Sequence, residues 1–246
     1  MSAQFFPGQG FPLTVERRIR EWEQEEAEAG GRSDEPRIDY VCISRQIGSG
    51  GHEVGRILGF LMNWQLYDKD ILNYMAENMQ VHKHVLESVD ERTVSWIHDA
   101  LGSFFAAKPS QHVGQAKYFK HLVEVLLVIA KHGKAIIVGR AAGHVLPRDR
   151  GLSVRLTAPL ELRIERTARK HDVSVKEAAA MIRKADKEQL RFVKSFIGKD
   201  AFDVTHFDVV LSTENLNAQS VAKIIWRAAD ERVNSARQMM QMAAQA

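Results

Sequence analysis

Residues 41–56, VCISRQIGSGGHEVGR, decide the architecture. The apolar run Val41-Cys42-Ile43 leads into Gly48-Ser49-Gly50-Gly51, and a helical pattern starts near His52. A buried strand that turns through glycines into a helix lets successive backbone N–H groups curl into a concavity. The helix N-terminus adds the positive end of its dipole. That arrangement suits a phosphate. The same string also suits an ordinary strand–turn–helix connection, because glycine turns are common between such elements. It makes a poor dinucleotide fingerprint: 48–53 (GSGGHE) lacks the last glycine, and no acid stands at the strand end where a ribose would be held.

Outward from this loop the chain alternates. Short runs rich in β-branched and apolar residues at 38–44, 65–67, 134–139, 152–157 and 207–211 read as strands. Helical patterns occupy 52–62, 69–79, 83–105 (with a break), 116–132, 159–171, 174–195 and 217–236. Apolar strands separated by helices predict an α/β, doubly wound parallel sheet. Ligands of such sheets collect beyond the carboxyl ends of the strands, here 44–52, 68, 139–143 and 157–166. Residues 1–37 read as an arm. Phe5-Phe6-Pro7-Gly8 is turn-rich, and 14–29 is a charged helix with Thr14 as its N-cap and Gly30-Gly31 as its close. Its narrow stripe of Val15, Ile19 and Trp22 would dock on the chain's own core or on a second copy, which leaves a homo-oligomer through this helix open. Glutamates outnumber arginines there, against a membrane-surface helix. Residues 237–246 continue the last helix and then fray.

The 246 residues carry 34 Lys and Arg against 31 Asp and Glu, a formal balance of +3, with 45% apolar and 26% charged residues. That is a globular composition, and so small a margin does not make a general nucleic-acid binder. Apolar runs such as 122–130 (LVEVLLVIA) are too short to cross a bilayer, and the first residues lack a signal-peptide core, so no membrane partner is expected. The single cysteine, Cys42, excludes an intrachain disulfide, suits the cytoplasm, and falls inside the first strand as a buried, inert side chain. None of the ten histidines stands at a spacing that selects a metal, and their scatter suits surface or helix-capping positions. Basic residues concentrate in 161–200, where Arg163 and Arg166 share one helix face and Lys187, Arg191 and Lys194 another; Lys199 closes the run. Interleaved glutamates make a solvated charged helix the default for such a stretch.

Set against the phosphate-loop pattern G-x-x-x-x-G-K-[ST], the loop is degenerate. Arg45 stands at the first glycine, Gly51 at the lysine and His52 at the hydroxyl that binds Mg²⁺. Arg45 offers a charge from a different direction, although an arginine beside a strand end is also a common surface ion-pair partner. Six segments follow in order: SRQIGSGGHEVG at 44–55, WQLYDKDIL at 64–72, HGKAIIVGRAAGHVL at 132–146, LSVRLTAPLELRIER at 152–166, DKEQLRFVKSFIGKD at 186–200 and FDVVLST at 207–213. Together they resemble the cytidylate-kinase-like family, a branch of the P-loop nucleoside monophosphate kinases. The resemblance covers about residues 38–235 and leaves the N-terminal arm outside.

What the resemblance implies is a P-loop NTPase-type three-layer α/β fold over 38–236, with a five-stranded parallel sheet and a helical lid at about 163–200. It implies ATP as phosphoryl donor and a nucleoside monophosphate or related small acceptor, with catalysis that is mostly electrostatic. Gly48, Ser49, Gly50, Gly51 and His52 would cradle donor phosphates, and Arg163 would close on them from the lid. Arg45, Arg140 and Arg191 would carry the catalytic charge. Arg140 matches the family's Gly-Arg pair and would reach the acceptor, as would Asp68 at the end of the second strand; the alternatives are a helix-cap or interface arginine for Arg140 and a helix N-cap for Asp68. In cytidylate kinases that pair lies between two aspartates, whereas Val138 and Ala141 flank it here. Tyr74 stands where an acceptor-binding arginine is expected. With lysine, hydroxyl and acid all missing, Mg²⁺ would lack its usual protein ligands. The implied function is a phosphotransferase in which arginines do that work. Its rival is a nucleotide-sensing or assembly module that has lost catalysis.

Overall fold

The computed structural model describes residues 11–28, 36–107, 113–198 and 202–244. They fall into two compact units, one formed by Glu35–Asp68 with Gly133–Ala246 and the other by Met1–Asp34 with Lys69–His132. The expectations for Phe5-Phe6-Pro7-Gly8, Gly30-Gly31 and Lys199 lie outside the described residues. No helix among those described is long and apolar enough to cross a membrane.

The first unit is built on five short strands, β1 (Tyr40–Arg45), β2 (Gln65–Tyr67), β3 (Ala135–Val138), β4 (Gly151–Thr157) and β5 (Val209–Ser212). They pair in the order β2-β3-β1-β4-β5, every neighbour parallel. β1 is central, with Tyr40 level with both Ala135 and Gly151. The period-two alternation of strand side chains then sorts β1 between the two faces. Val41 and Ile43 join Ile136, Val138, Val154 and Leu156 in an apolar layer closed by Val54 and Leu58 of α2 (Gly51–Met62) and by Val221 and Ile225 of α10 (Ala218–Ala244). Cys42 points to the opposite face, where Gly143 of the short α7 (Ala142–Val145) comes close to it. Burial pushes the Cys42 thiol far above its usual range, which keeps it protonated and unreactive. Helices on both faces of a parallel five-stranded sheet are the α/β layering that the alternating pattern predicts.

The second unit is helical: α1 (Phe11–Glu28), α3 (Lys69–Glu77), α4 (Met79–Glu87), α5 (Glu91–Ala107) and α6 (Val113–His132). Trp22 is fully buried and stacks on His132 with ring centroids 4.4 Å apart and planes 5° from parallel. Val15 and Ile19 are buried beside it. The stripe of α1 therefore docks within the chain's own helical unit.

Several boundaries differ from expectation for local reasons. α1 begins at Phe11, which puts Thr14 inside the helix rather than at its N-cap; Pro12 fits the first turn because that position needs no N–H partner. The helix expected over 69–79 stops at Glu77, since the Asn78 side chain accepts from Gln80 N (3.1 Å) and Val81 N (3.2 Å) and starts α4. The break expected inside 83–105 falls at 88–90, where the Asp90 carboxylate accepts from Thr93 N at 2.6 Å ahead of α5. α10 runs on to Ala244. The histidines are not all at the surface: His82 and His132 are buried, each against a partner side chain. Because Asn78 satisfies two backbone donors of α4, Asn78→Ala is expected to cost about 1 kcal/mol, read as a lower urea midpoint.

Candidate active site

The loop between β1 and α2 is held from three sides. Gln46 N donates to Leu156 O at 3.0 Å, and Gln46 Oε1 accepts from Ala158 N at 3.0 Å, so this residue ties the loop to the end of β4. Ser49 is buried, with Oγ donating to Gln46 O at 2.8 Å, while Thr213 Oγ1 donates to Ser49 O at 3.0 Å from beyond β5. From α8 (Leu160–His171), Arg163 Nη1 donates to Ile47 O at 3.2 Å. Gly48 has φ 84°, and a Cβ there would stand 2.8 Å from Arg163 O. Both the backbone conformation and the approach of α8 therefore demand glycine. The first helical hydrogen bond of α2 runs from Val54 N to Gly50 O at 3.0 Å. The N–H groups before it have no acceptor inside the helix and are left for a ligand or water.

Over this loop opens a cavity of about 720 Å³, within the range of small-molecule sites. It is lined by Arg45 through Val54, by Arg56, by Arg166, Arg169 and Lys170 of α8, by Met181 and Ile182 of α9 (Val175–Phe196), and by Thr213, Leu216 and Asn217. Five Arg and Lys side chains thus face a single carboxylate, Glu53, among the described lining residues. A cationic concavity at a helix N-terminus and at the carboxyl end of a central parallel strand is suited to a polyphosphate. The apolar side chains from α9 and after β5 add a wall against which a flat ring could pack.

Arg45 is fixed by two close approaches. A Cβ on Gly51 would lie 2.8 Å from Arg45 Cγ and 2.9 Å from its Cβ, so the arginine stem crosses over Gly51. A Cβ on Gly139 would lie 2.6 Å from Arg45 Nη1, which puts the guanidinium against the turn that precedes Arg140. The side chain of residue 45 thereby fills the space into which a side chain at 51 would grow.

The other expected residues divide. Gly48, Ser49, Gly50, Gly51 and His52 line the cavity together with Arg45. His52 Nδ1 is 3.4 Å from Asp68 Oδ2, which joins two residues assigned to opposite substrates. Arg163, expected on the phosphates, is buried and outside the lining; its Nη1 is 3.0 Å from both carboxylate oxygens of Asp186 as well as bonded to Ile47 O. It braces the loop, and Arg166, one turn on, lines the cavity, donating to Thr213 Oγ1 (2.8 Å) and Thr213 O (2.7 Å). Arg140 lies outside this lining with φ 52°, its guanidinium carbon 5.0 Å from the centre of the Phe192 ring. Its Nε is buried with no hydrogen-bond partner among the described residues. Arg191 is exposed on α9, along with Lys187 and Lys194, as a solvated helix face would be. Residues that the sequence left unmarked include Arg56 and Gln46, whereas Arg169 belongs to the basic run at 161–200. For Gln46 the signal was its place between Arg45 and the glycines.

The oxygen donors for a protein-held magnesium ion are sparse. Ser49 Oγ and Thr213 Oγ1 are directed onto loop carbonyls, Val138 is buried in β3, and Glu53 is the one acid of the lining. Magnesium is held by oxygen ligands, usually one or two carboxylates besides the substrate phosphates. This cation-rich, oxygen-poor set does not fit an ion anchored by the protein.

Comparison with known proteins gives a consistent picture. The description of the cytidylate kinase-like family matches residues 40–215. A cytidylate kinase of Methanopyrus kandleri is 33% identical over 110 residues, which cover 41% of this chain and 57% of that protein. One from Pyrococcus horikoshii is 30% identical over 101 residues, 41% of this chain and 52% of the relative. The chain thus spans about half the length of the curated relatives it matches. Among solved structures, an uncharacterized protein from Eubacterium ventriosum aligns with a TM-score of 0.60 at 22% identity, covering 79% of this chain and 99% of the other, a likeness of fold.

Proposed function

The chain belongs to the cytidylate kinase-like family, and from that premise we propose that it binds ATP in the cavity over Gly48–Gly51 and transfers its terminal phosphoryl group to a nucleoside monophosphate or related small acceptor. The observation that carries this reading is the concentration of Arg45, Arg56, Arg166, Arg169 and Lys170 around a glycine loop that opens a helix. An oxygen of the acceptor phosphate attacks the γ-phosphorus, the bond to the β–γ bridging oxygen breaks, and the electron pair leaves on ADP. Charge spreads over the transferring group and the leaving oxygen, so fixed cations and backbone donors are what the reaction needs. In this reading the loop N–H groups hold the β-phosphate. Arg166, anchored on Thr213, holds the donor from the side of α8.

Arg45 takes the place of the missing lysine, reaching over Gly51 to the Gly139 turn. Arg140 is assigned to the acceptor phosphate, since its cation is held by the Phe192 ring and its Nε is left for a further partner. His52 and Asp68 act as a pair at the cavity edge. Arg163 is a positioning residue. Mg²⁺, when present, would arrive with the nucleotide and supply charge neutralisation between phosphates.

The oxygen-poor donor set also favours a second reading, a nucleotide-binding module without turnover. One experiment separates them. The purified chain with Mg-ATP is given a panel of CMP, dCMP and UMP while ADP release is followed, and nucleotide affinity is measured by calorimetry with and without Mg²⁺. The enzyme reading expects acceptor-dependent ADP release and a nucleotide affinity that changes little on removing Mg²⁺. Saturable ATP binding with no release across the panel would leave the binding module standing, and no binding at all would sink both.

A further inference from the structure

A second group of chemistry-bearing side chains sits in the helical unit, with no part in the phosphate site. Glu124 of α6 is buried, its side chain 4% exposed, and the His82 side chain of α4 is 8% exposed. A buried carboxylate needs compensation. Here Oε2 lies 3.0 Å from His82 Nε2, and among the described residues Oε1 has the outlying Lys120 ammonium at 3.8 Å. His121, one turn before Glu124, stacks on His82 with ring centroids 4.2 Å apart. Its Nδ1 is 3.1 Å from Ala76 O. A carbonyl can only accept, so Nδ1 carries the hydrogen and Nε2 carries the lone pair. Among the described residues nothing hydrogen-bonds to that Nε2.

One ligand atom from each of His82, His121 and Glu124 lies within 4.8 Å of the others. We propose that these three residues form a binding site for one divalent transition ion of the zinc type. Two imidazole nitrogens and one carboxylate oxygen are the donors such ions take, and three protein ligands leave a fourth position for water. The hydrogen bond from His121 Nδ1 to a backbone carbonyl is the outer contact that orients a metal-bound histidine. A self-contained His82–Glu124 pair would explain two of the three side chains. It leaves the third member, the second ring nitrogen of His121, without a partner among the described residues. On binding, Glu124 exchanges its contact with His82 for a bond to the ion, and the proton on His82 Nε2 moves to Nδ1 or to solvent. The ion would replace the direct His82–Glu124 contact between α4 and α6 with a bridge that also holds His121.

The test uses the full chain, stripped with a chelator, dialysed, and titrated with Co²⁺ or Zn²⁺ alone. One equivalent is expected to bind, with the visible absorption of a low-symmetry, four-coordinate cobalt ion and a rise in melting temperature that EDTA reverses. His121→Ala and the isosteric Glu124→Gln should each weaken binding at least a hundredfold and abolish the cobalt band, while circular dichroism reports that the helices remain. His84→Ala and His98→Ala, at exposed positions, should bind as the parent does. Failure of the parent to bind at micromolar metal overturns the proposal. So does binding that survives unchanged in both His121→Ala and Glu124→Gln, which would assign the ion to surface histidines.

Discussion

Arg45→Ala is expected to lower phosphoryl transfer about a thousandfold, the lower end of what a cation on a transferring phosphoryl contributes, while ATP affinity falls by less than about tenfold. The asymmetry follows from position. Arg166, Arg169, Lys170 and the loop N–H groups remain in the lining and, on the proposed function, still hold the ground-state phosphates, so uniform binding is expected to survive. What disappears is the guanidinium that lies against Gly139, the residue before Arg140, which the proposal assigns to the acceptor. An interaction made mainly in the transition state lowers kcat more than it raises KM. Arg45→Lys should fall between the two, because an ammonium keeps the charge but loses the planar fork. The measurement is coupled ADP release for all three proteins with calorimetric ATP affinity alongside. More than a tenth of the parent's kcat in Arg45→Ala would remove Arg45 from the chemistry.

The fold was legible because its strands are short, apolar and β-branched, and because each is followed by a change to helical spacing. IDYVCIS and FDVVLST carry that signal on their own. The glycine turn between the first strand and its helix was legible for the same local reason: glycines in sequence report backbone geometry directly. The residues that were misplaced depend on which way a helix is rotated. Arg163 and Arg166 share a face, and sequence spacing does not say which one meets Asp186 and Ile47 and which one meets Thr213. The histidine cluster shows the limit more sharply. His121 and Glu124 are one turn apart, but His82 arrives from another helix, so only the packing of α4 on α6 assembles the set. Asn78 illustrates a smaller failure, in which a side-chain cap cuts an apolar pattern that periodicity alone would run through.

Restoring the lysine of the phosphate-loop pattern is expected to damage the protein rather than improve it. Gly51 has no positive φ, so its backbone would accept a side chain; what forbids one is the Arg45 stem, with Cβ and Cγ at 2.9 and 2.8 Å from the position a new Cβ would take. Those are the root atoms of a side chain, not its mobile end, and they clear only if Arg45 leaves its rotamer altogether. Gly51→Lys therefore removes the guanidinium from Gly139 while adding a second cation to the first turn of α2, where positive charge opposes the helix dipole. Turnover should fall about as far as in Arg45→Ala, roughly a thousandfold, because the charge that the proposal assigns to catalysis is displaced. The double variant Arg45→Ala with Gly51→Lys tells whether space is the cause. With the stem gone, the lysine has room to reach the phosphates, and the pair should turn over at least tenfold faster than either single variant, the non-additivity expected of side chains that compete for one volume. If Gly51→Lys alone keeps the parent's activity, Arg45 does not fill the lysine's place. If the double variant is merely the product of the two singles, the two residues act separately. Either result would break the argument that the SRQ-x-GSGG loop has exchanged one cation for another.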